Sequence, residues 1–254
     1  MTGREVGELM TEAYTEGVLS KDSMQALVAV PEIGAQIERG LGRAEDADFL
    51  VSVMADDSLS ISTSDMEAAV RNGHNLILDV AKEQAGSCLF HTRFLNGRVL
   101  NPYGSADLAK PMTRENYELN PSGTPLYDQT IVLLGTMIAK WREAPAGSRP
   151  RTFSVVISDG DDNRSRGGPK PVEQLVSDLL LSGDHLVAAI GIDDGHTDFR
   201  RVFGAMGIPG PWILTPEATA DQVAEAFKRI ANALALGAGS QQAFRQLAAG
   251  PPPS

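Results

Sequence analysis

The chain has 254 residues, 42% of them apolar and 22% charged, and carries a formal net charge of −11. This is the composition of a globular protein long enough to bury a core without cross-links, and too mixed for a disordered one. The acidic balance, with no Lys/Arg run, argues against a partner gripped through its phosphates, whether nucleic acid or an anionic membrane surface.

Cys88 is the single cysteine, so an intrachain disulfide is impossible and a reducing compartment fits. In a strand-like stretch it reads as a small buried hydrophobe. The segment from Met1 to Met10 has neither a basic n-region nor an apolar h-region. No apolar run approaches the roughly 20 residues that span a bilayer. The expectation is a soluble, cytoplasmic protein with no membrane partner.

Residues 1–47 read as a helical N-terminal extension. Val6, Leu9, Met10 and Ala13 share one helical face, Met24, Leu27 and Val28 a second, and Ile33, Ile37 and Leu41 a third, with Pro31 interrupting. The extension is expected to pack on the domain that follows.

Residues 48–236 alternate between strand-like and helix-like stretches. Phe49 to Ala55 is a near-continuous apolar run, the pattern of a strand covered on both faces. Ser64-Asp65-Met66-Glu67 has the form of a capping box, and Met66, Val70, Ile77 and Val80 mark the helix behind it. Cys88 to Leu95 reads as a strand. Asn96-Gly97 then signals a hairpin, because both residues tolerate positive φ, and Arg98 to Tyr103 returns as an antiparallel edge strand. Pro125 to Trp141 reads as a helix, with proline in the first turn where its missing N–H costs nothing. The spacing then predicts a strand at Thr152–Ile157, a helix carrying Val172, Leu175, Val176, Leu179 and Leu180, and a strand at His185–Ile192. A short helix with Phe199, Val202, Phe203 and Met206 follows, then a strand at Trp212–Thr215. The last helix carries Val223, Phe227, Ile230 and Leu234. Residues 237–254, rich in Gly, Ala and Gln and closing on Pro251-Pro252-Pro253-Ser254, are expected to be a mostly disordered, flexible tail.

Strands alternating with helices imply an α/β, doubly wound, mostly parallel sheet with one antiparallel edge strand, a Rossmann-like layout. Ligands of such sheets sit beyond the carboxyl ends of the strands. The residues found there are Asp56-Asp57-Ser58-Leu59-Ser60 after the first strand and Ser158-Asp159-Gly160-Asp161-Asp162-Asn163 after the middle one. Ser122-Gly123-Thr124-Pro125-Leu126-Tyr127-Asp128 stands at the mouth of a helix. All three segments offer oxygen, which suits a hard cation such as Mg²⁺. Residues 56, 58 and 60 point the same way if the loop leaves its strand extended. Two carboxylates leave such an ion about neutral, so it still attracts an outside anion.

These segments resemble the von Willebrand factor A domain, the integrin I-domain type, over residues 48–236. The D-x-S-x-S loop matches that family's metal-ion-dependent adhesion site, and Gly123-Thr124-Pro125-Leu126-Tyr127-Asp128 and Ile157-Ser158-Asp159-Gly160 match its settings for the distant threonine and aspartate. The resemblance implies a metal set of Asp56, Ser58, Ser60, Thr124 and Asp159 holding Mg²⁺, with Mn²⁺ or Ca²⁺ as alternatives. It further implies a non-enzymatic adaptor that captures an Asp or Glu of a protein partner. Regulatory service to an AAA-type ATPase or chelatase-like machine is the alternative implied by the family. Mg²⁺-assisted phosphate hydrolysis is the surviving enzymatic alternative. Asp56→Ala is expected to abolish capture with little loss of fold. Asp57, Asp161 and Asp162 read as a solvated acidic rim.

Other chemistries find no support. No Gly-Lys-Ser or Gly-Lys-Thr closes a P-loop, no G-x-S-x-G elbow is present, and Gly40-Leu41-Gly42 follows a helix-like segment. Asp159, Asp161 and Asn163 mimic a calcium loop, but Arg164 and Lys170 stand where glycine and glutamate are needed. His74, His91, His185 and His196 lack zinc spacing. Asp193 to Asp198 reads as a tight turn with a helix cap.

Overall fold

The computed structural model describes residues 5–28, 31–43, 45–63, 66–84, 87–145, 147 and 149–250. In chain order the elements are α1 (Val6–Thr15), α2 (Lys21–Val28), α3 (Pro31–Leu41), β1 (Phe49–Ala55), α4 (Ser60–Thr63), α5 (Glu67–Lys82), β2 (Cys88–Phe94), β3 (Val99–Ser105), α6 (Leu126–Glu143), β4 (Arg151–Ser158), α7 (Lys170–Ser182), β5 (His185–Gly191), α8 (Phe199–Ala205), β6 (Ile213–Leu214), α9 (Ala220–Gly239) and α10 (Gln241–Ala249). They build one six-stranded sheet in the order β3-β2-β1-β4-β5-β6. Among the described residues only the β2–β3 pair is antiparallel, and its hairpin turns at Gly97 with φ +90°. The α/β, mostly parallel sheet with an antiparallel edge is therefore as expected.

β1 is buried at all seven positions, as its apolar run requires. It pairs in parallel with β2 on one side and with β4 on the other, Met54 facing Arg93 and Val156. The connections out of β1 and β4 thus leave from neighbouring strands, which opens a crevice at their carboxyl ends.

Side-chain alternation along β2 separates the two faces. Phe90 and Thr92 point to α5, where the His74 ring meets Phe90 edge-on at 5.6 Å and its Nε2 pairs with Thr92 Oγ1 at 2.8 Å. His91 and Arg93 point the other way, toward α3 and α6. On the first face α5 and α9 pack so closely that a Cβ on Gly73 would stand 2.1 Å from the Phe227 ring. On the second face α6 is buried continuously from Gln129 to Arg142. A helix buried all round needs cover on both sides. The sheet supplies one side and α1, α2 and α3 supply the other. A Cβ on Gly135 would lie 2.6 Å from Leu27 and 2.7 Å from Ile37, so the glycine sets how closely the prefix approaches. Arg142 Nη2 donates to Glu12 Oε2 at 2.8 Å and to Glu16 Oε1 at 2.7 Å, fastening α1 to the end of α6.

Two sequence expectations are corrected, and a third falls partly outside the described residues. The stretch after residue 236 is not a flexible tail as far as Gly250. α9 runs on to Gly239, Ser240 caps α10 by accepting from Ala243 N at 3.1 Å, and Phe244 is fully buried edge-on against Phe49 at 5.9 Å. Ala and Gln are good helix formers, and one well-placed aromatic is enough to dock the helix. Pro251 to Ser254 lie outside the described residues. The strand at Trp212–Thr215 shrinks to β6, because Gly210–Trp212 forms a 3-10 turn around Pro211, which has no N–H for a ladder. α5 starts at Glu67 without a side-chain cap at Met66, and Ser64 and Asp65 of the expected capping box lie outside the described residues. Cys88 is buried in β2, as its setting suggests. Among the described residues no helix is long and apolar enough to cross a membrane.

Candidate metal site

Three loops meet at the carboxyl ends of β1 and β4. The first leaves β1 at Asp56, and the second leaves β4 at Asp159. The third, residues 120–125, leads into α6. Asn120 N donates to Asp57 O at 2.6 Å, and the Tyr117 hydroxyl donates to the Asp56 carbonyl, which ties the third loop to the first. Asn163 clamps the third loop to the second: its side-chain Oδ1 accepts from Thr124 N at 2.8 Å while its own N–H donates to Thr124 O at 3.1 Å. Gly123 makes that clamp fit. Its φ is +88°, and a Cβ there would fall 2.6 Å from both Asn163 Oδ1 and Arg164 Cγ.

Asp56 is fully buried and is the hub of the cluster. Its Oδ1 accepts from Ser58 N at 2.8 Å, and its Oδ2 accepts from Ser158 Oγ at 2.7 Å and Asp159 N at 3.3 Å. Asp159 Oδ1 accepts from Ser60 Oγ at 2.8 Å and from Ser58 Oγ at 3.3 Å. The two serine oxygens are 2.7 Å apart. Four of the five residues singled out from the sequence, Asp56, Ser58, Ser60 and Asp159, therefore form one hydrogen-bonded cluster. Thr124 is buried on the adjoining loop and is held through its backbone. The local reason differs from the expected one. The loop does not stay extended to residue 60: the chain turns at Leu59 and begins α4 at Ser60, and the turn brings the two hydroxyls together.

The cluster is acidic and starved of protein cations. Neither Asp56 nor Asp159 forms an ion pair among the described residues. Burial, and then the neighbouring Asp56 carboxylate, raise the Asp159 carboxyl well above the usual range. Two buried like charges beside three hydroxyl-bearing residues fit a hard divalent cation, which takes oxygen ligands and relieves the repulsion. They do not fit a zinc centre of nitrogen and sulfur donors. Among the described residues no three His, Cys, Asp or Glu gather where they could hold a metal, so the hydroxyls are essential to the set.

The acidic rim divides into three roles. Asp57 is 1% exposed, so it is not a rim residue. Its Oδ1 accepts from Asn96 N at 3.1 Å, Oδ2 has no partner among the described residues, and burial pushes its pKa up to about 7. Asp162 Oδ2 accepts from Tyr127 N at 3.0 Å, placing a carboxylate on the positive end of α6. Asp161 is exposed, 3.5 Å from Arg201. The Asp193–Asp198 stretch is the expected turn and cap: Asp194 Oδ1 accepts from His196 N and Thr197 N, and Asp198 from Arg201 N. The sequence reading missed Tyr117, Asn120, Ser158 and Asn163 as organisers. Only Ser158, next to Asp159 at a strand end, carried a readable signal.

This six-stranded sheet with its crevice between β1 and β4 is the von Willebrand factor A fold. The structure is similar to a von Willebrand factor type A protein from Catenulispora acidiphila, with a TM-score of 0.54 and 15% identity over 75% of this chain and 43% of that one. It is also similar to the pilus adhesin SpaC from Lactobacillus rhamnosus GG in an open conformation, at 0.51 and 14% over 76% and 30%. A third similar structure is proximal thread matrix protein 1 from the mussel byssus with a zinc-occupied MIDAS motif, at 0.50 and 13% over 75% and 48%. The chain spans less than half the length of each. No protein-family model matches the sequence, and no curated protein matches it significantly.

Proposed function

We propose that the chain is a non-enzymatic binding protein that holds Mg²⁺, with Mn²⁺ or Ca²⁺ as substitutes, on Asp56, Ser58, Ser60, Thr124 and Asp159, and that it captures an Asp or Glu of a protein partner there. The supporting observation is the cluster itself, two buried carboxylates sharing hydroxyl partners at the crevice between β1 and β4. The bound cation supplies an incompletely coordinated Lewis-acid position for an outside carboxylate. Asp56 and Asp159 bring the negative charge. Ser58 and Ser60 turn neutral oxygens toward the same point, and Asn163 and Gly123 hold the Thr124 loop against it. Leu59, 49% exposed between the two serines, offers an apolar contact beside the carboxylate position. The protein then serves as an adaptor in a cytoplasmic complex; regulation of an AAA-type ATPase or chelatase-like machine is the alternative.

Titration of Mg²⁺ into chelator-treated protein tests this. At a hundredfold its Kd a ligand specific to the native state stabilises by about 2.7 kcal/mol, which for a chain of this length raises Tm by about 5–10 °C. Asp159→Asn is expected to lose the shift. No shift with millimolar Mg²⁺ or Mn²⁺ would count against the metal site. Mg²⁺-dependent turnover of a phosphate ester that disappears in Asp56→Asn would overturn the non-enzymatic reading.

A further inference from the structure

A cavity of about 430 Å³ opens between the prefix helices and the N-terminal end of α6, within the size range of about 300–1,000 Å³ usual for small-molecule sites. Ile33, Val132 and Pro171 give it apolar walls, and Gln36 and Gln129 line it. At its edge Glu32 and Arg166 face each other at 3.6 Å.

Behind the two glutamines stands Arg93, fully buried at the carboxyl end of β2. Its Nη2 donates to Gln129 Oε1 at 2.8 Å and to Gln36 Oε1 at 3.3 Å. Nε and Nη1 are buried and have no hydrogen-bond partner among the described residues, and no carboxylate there pairs with this side chain. The neighbouring charge that acts on it is another cation, Arg39. A buried guanidinium without a counter-anion is rare, because arginine is almost never fully buried unless paired.

The amides transmit that charge. Arginine has donors only, so both glutamine carbonyls turn inward to it. Gln129 Nε2 donates one of its two hydrogens to Gln36 Oε1 at 3.0 Å. Gln36 lines the cavity, and with its carbonyl taken by Arg93 and Gln129 the amide N–H₂ is the group it has left to offer a ligand. The cavity thus presents amide donors backed by an uncompensated positive charge beside the apolar Ile33, Val132 and Pro171, while Glu32, Asp128 and Arg166 make up its charged lining.

We propose that this cavity binds a small aliphatic carboxylate, whose anionic head is taken at Gln36 in front of Arg93 and whose hydrocarbon body lies against Ile33, Val132 and Pro171. The site uses none of the five metal-set residues, and its test runs in chelator, so its failure and that of the metal reading are separate results.

The probe is sodium hexanoate, with hexan-1-ol and matched sodium chloride as controls, and thermal unfolding of the full chain is the readout. Hexanoate is expected to raise Tm saturably, by about 3–5 °C at tenfold its Kd, while hexanol and chloride do not. Arg93→Met is expected to abolish the shift. Ala26→Phe, at a half-buried position lining the cavity, fills the space without touching Arg93 and is expected to do the same, and it carries the test if Arg93→Met fails to fold. An equal shift with hexanol, a hexanoate shift that survives both substitutions, or no shift at all would overturn the proposal. A shift with N-acetyl-leucine and none with hexanoate would assign the cavity to a peptide C-terminus, also against it.

Discussion

Asp56→Ala tests whether the candidate ligand is also a structural hub. Three donors converge on the Asp56 carboxylate: Ser58 N, Ser158 Oγ and Asp159 N. In the alanine variant the Ser158 hydroxyl can turn to Gly160 O, 3.0 Å away, which leaves two backbone N–H groups stranded where Asp56 was fully buried. An orphaned buried donor costs about 1–3 kcal/mol, so the pair costs about 2–6 kcal/mol. Losing the Asp56 charge relieves Asp159 and takes back part of this. A net loss of about 2–4 kcal/mol is a large share of a typical unfolding free energy of about 5–15 kcal/mol. The sequence reading expects little loss of fold from this substitution, and the hydrogen bonds say otherwise. Asp56→Asn keeps an acceptor for Ser58 N and is expected to cost about 1–2 kcal/mol. Urea unfolding in chelator, followed by circular dichroism, separates the cases. If Asp56→Ala unfolds within about 0.5 kcal/mol of wild type, with an unchanged m-value, the hub argument is wrong.

Three further outcomes follow from other parts of the fold. Gly123→Ala forces a Cβ onto Asn163 at a φ of +88°, and is expected to cost about 1–3 kcal/mol and to weaken Mg²⁺ binding by titration calorimetry. Phe244→Ala is expected to lose about 3–5 kcal/mol, as a fully buried aromatic does, with earlier proteolytic release of α10; unchanged stability would mean that α10 is not docked. His185 bonds Thr152 Oγ1 at 2.8 Å, and burial lowers its pKa from 6.5 to about 3. The unfolded chain therefore binds this proton first, and the contribution is intact above pH 6.5 and lost as pH falls from there toward 3. His185→Gln is expected to flatten the wild-type slope in that window by about 1.4 kcal/mol per pH unit. Parallel stability curves for the two proteins would refute it.

The parts of this protein that announce themselves in sequence are those with a short-range physical cause. The apolar run at Phe49–Ala55 suits a strand covered on both faces, and Asn96-Gly97 suits a turn between antiparallel strands, and both are found so. Asp56, Ser58, Ser60 and Asp159 were legible because strand ends of an open sheet are where such oxygens gather. Long-range partners were hidden. Nothing local says that Asn163 clamps Thr124, that Asp57 turns inward to Asn96, or that Arg93 finds two glutamines rather than a carboxylate. The α10 helix was hidden for another reason: the Gly, Ala and Gln of the stretch from Gly237 onward read as tail composition, while its docking turns on Phe244 meeting Phe49 across the chain, with Leu247 and Ala248 packed beside it.

The helices in front of the sheet set an order of events during synthesis. Leu27 and Ile37 pack against Gly135 of α6, and Glu12 and Glu16 meet Arg142 across 130 and 126 residues. As the chain leaves the ribosome, at about 5–20 residues per second, these apolar stripes emerge several seconds ahead of α6, the helix they pack on. Contacts this distant in sequence slow folding, because the intervening loop must close before they form. The three helices are thus made before the surface they fold onto, and a newborn chain that stalls before α6 leaves their apolar faces without that cover.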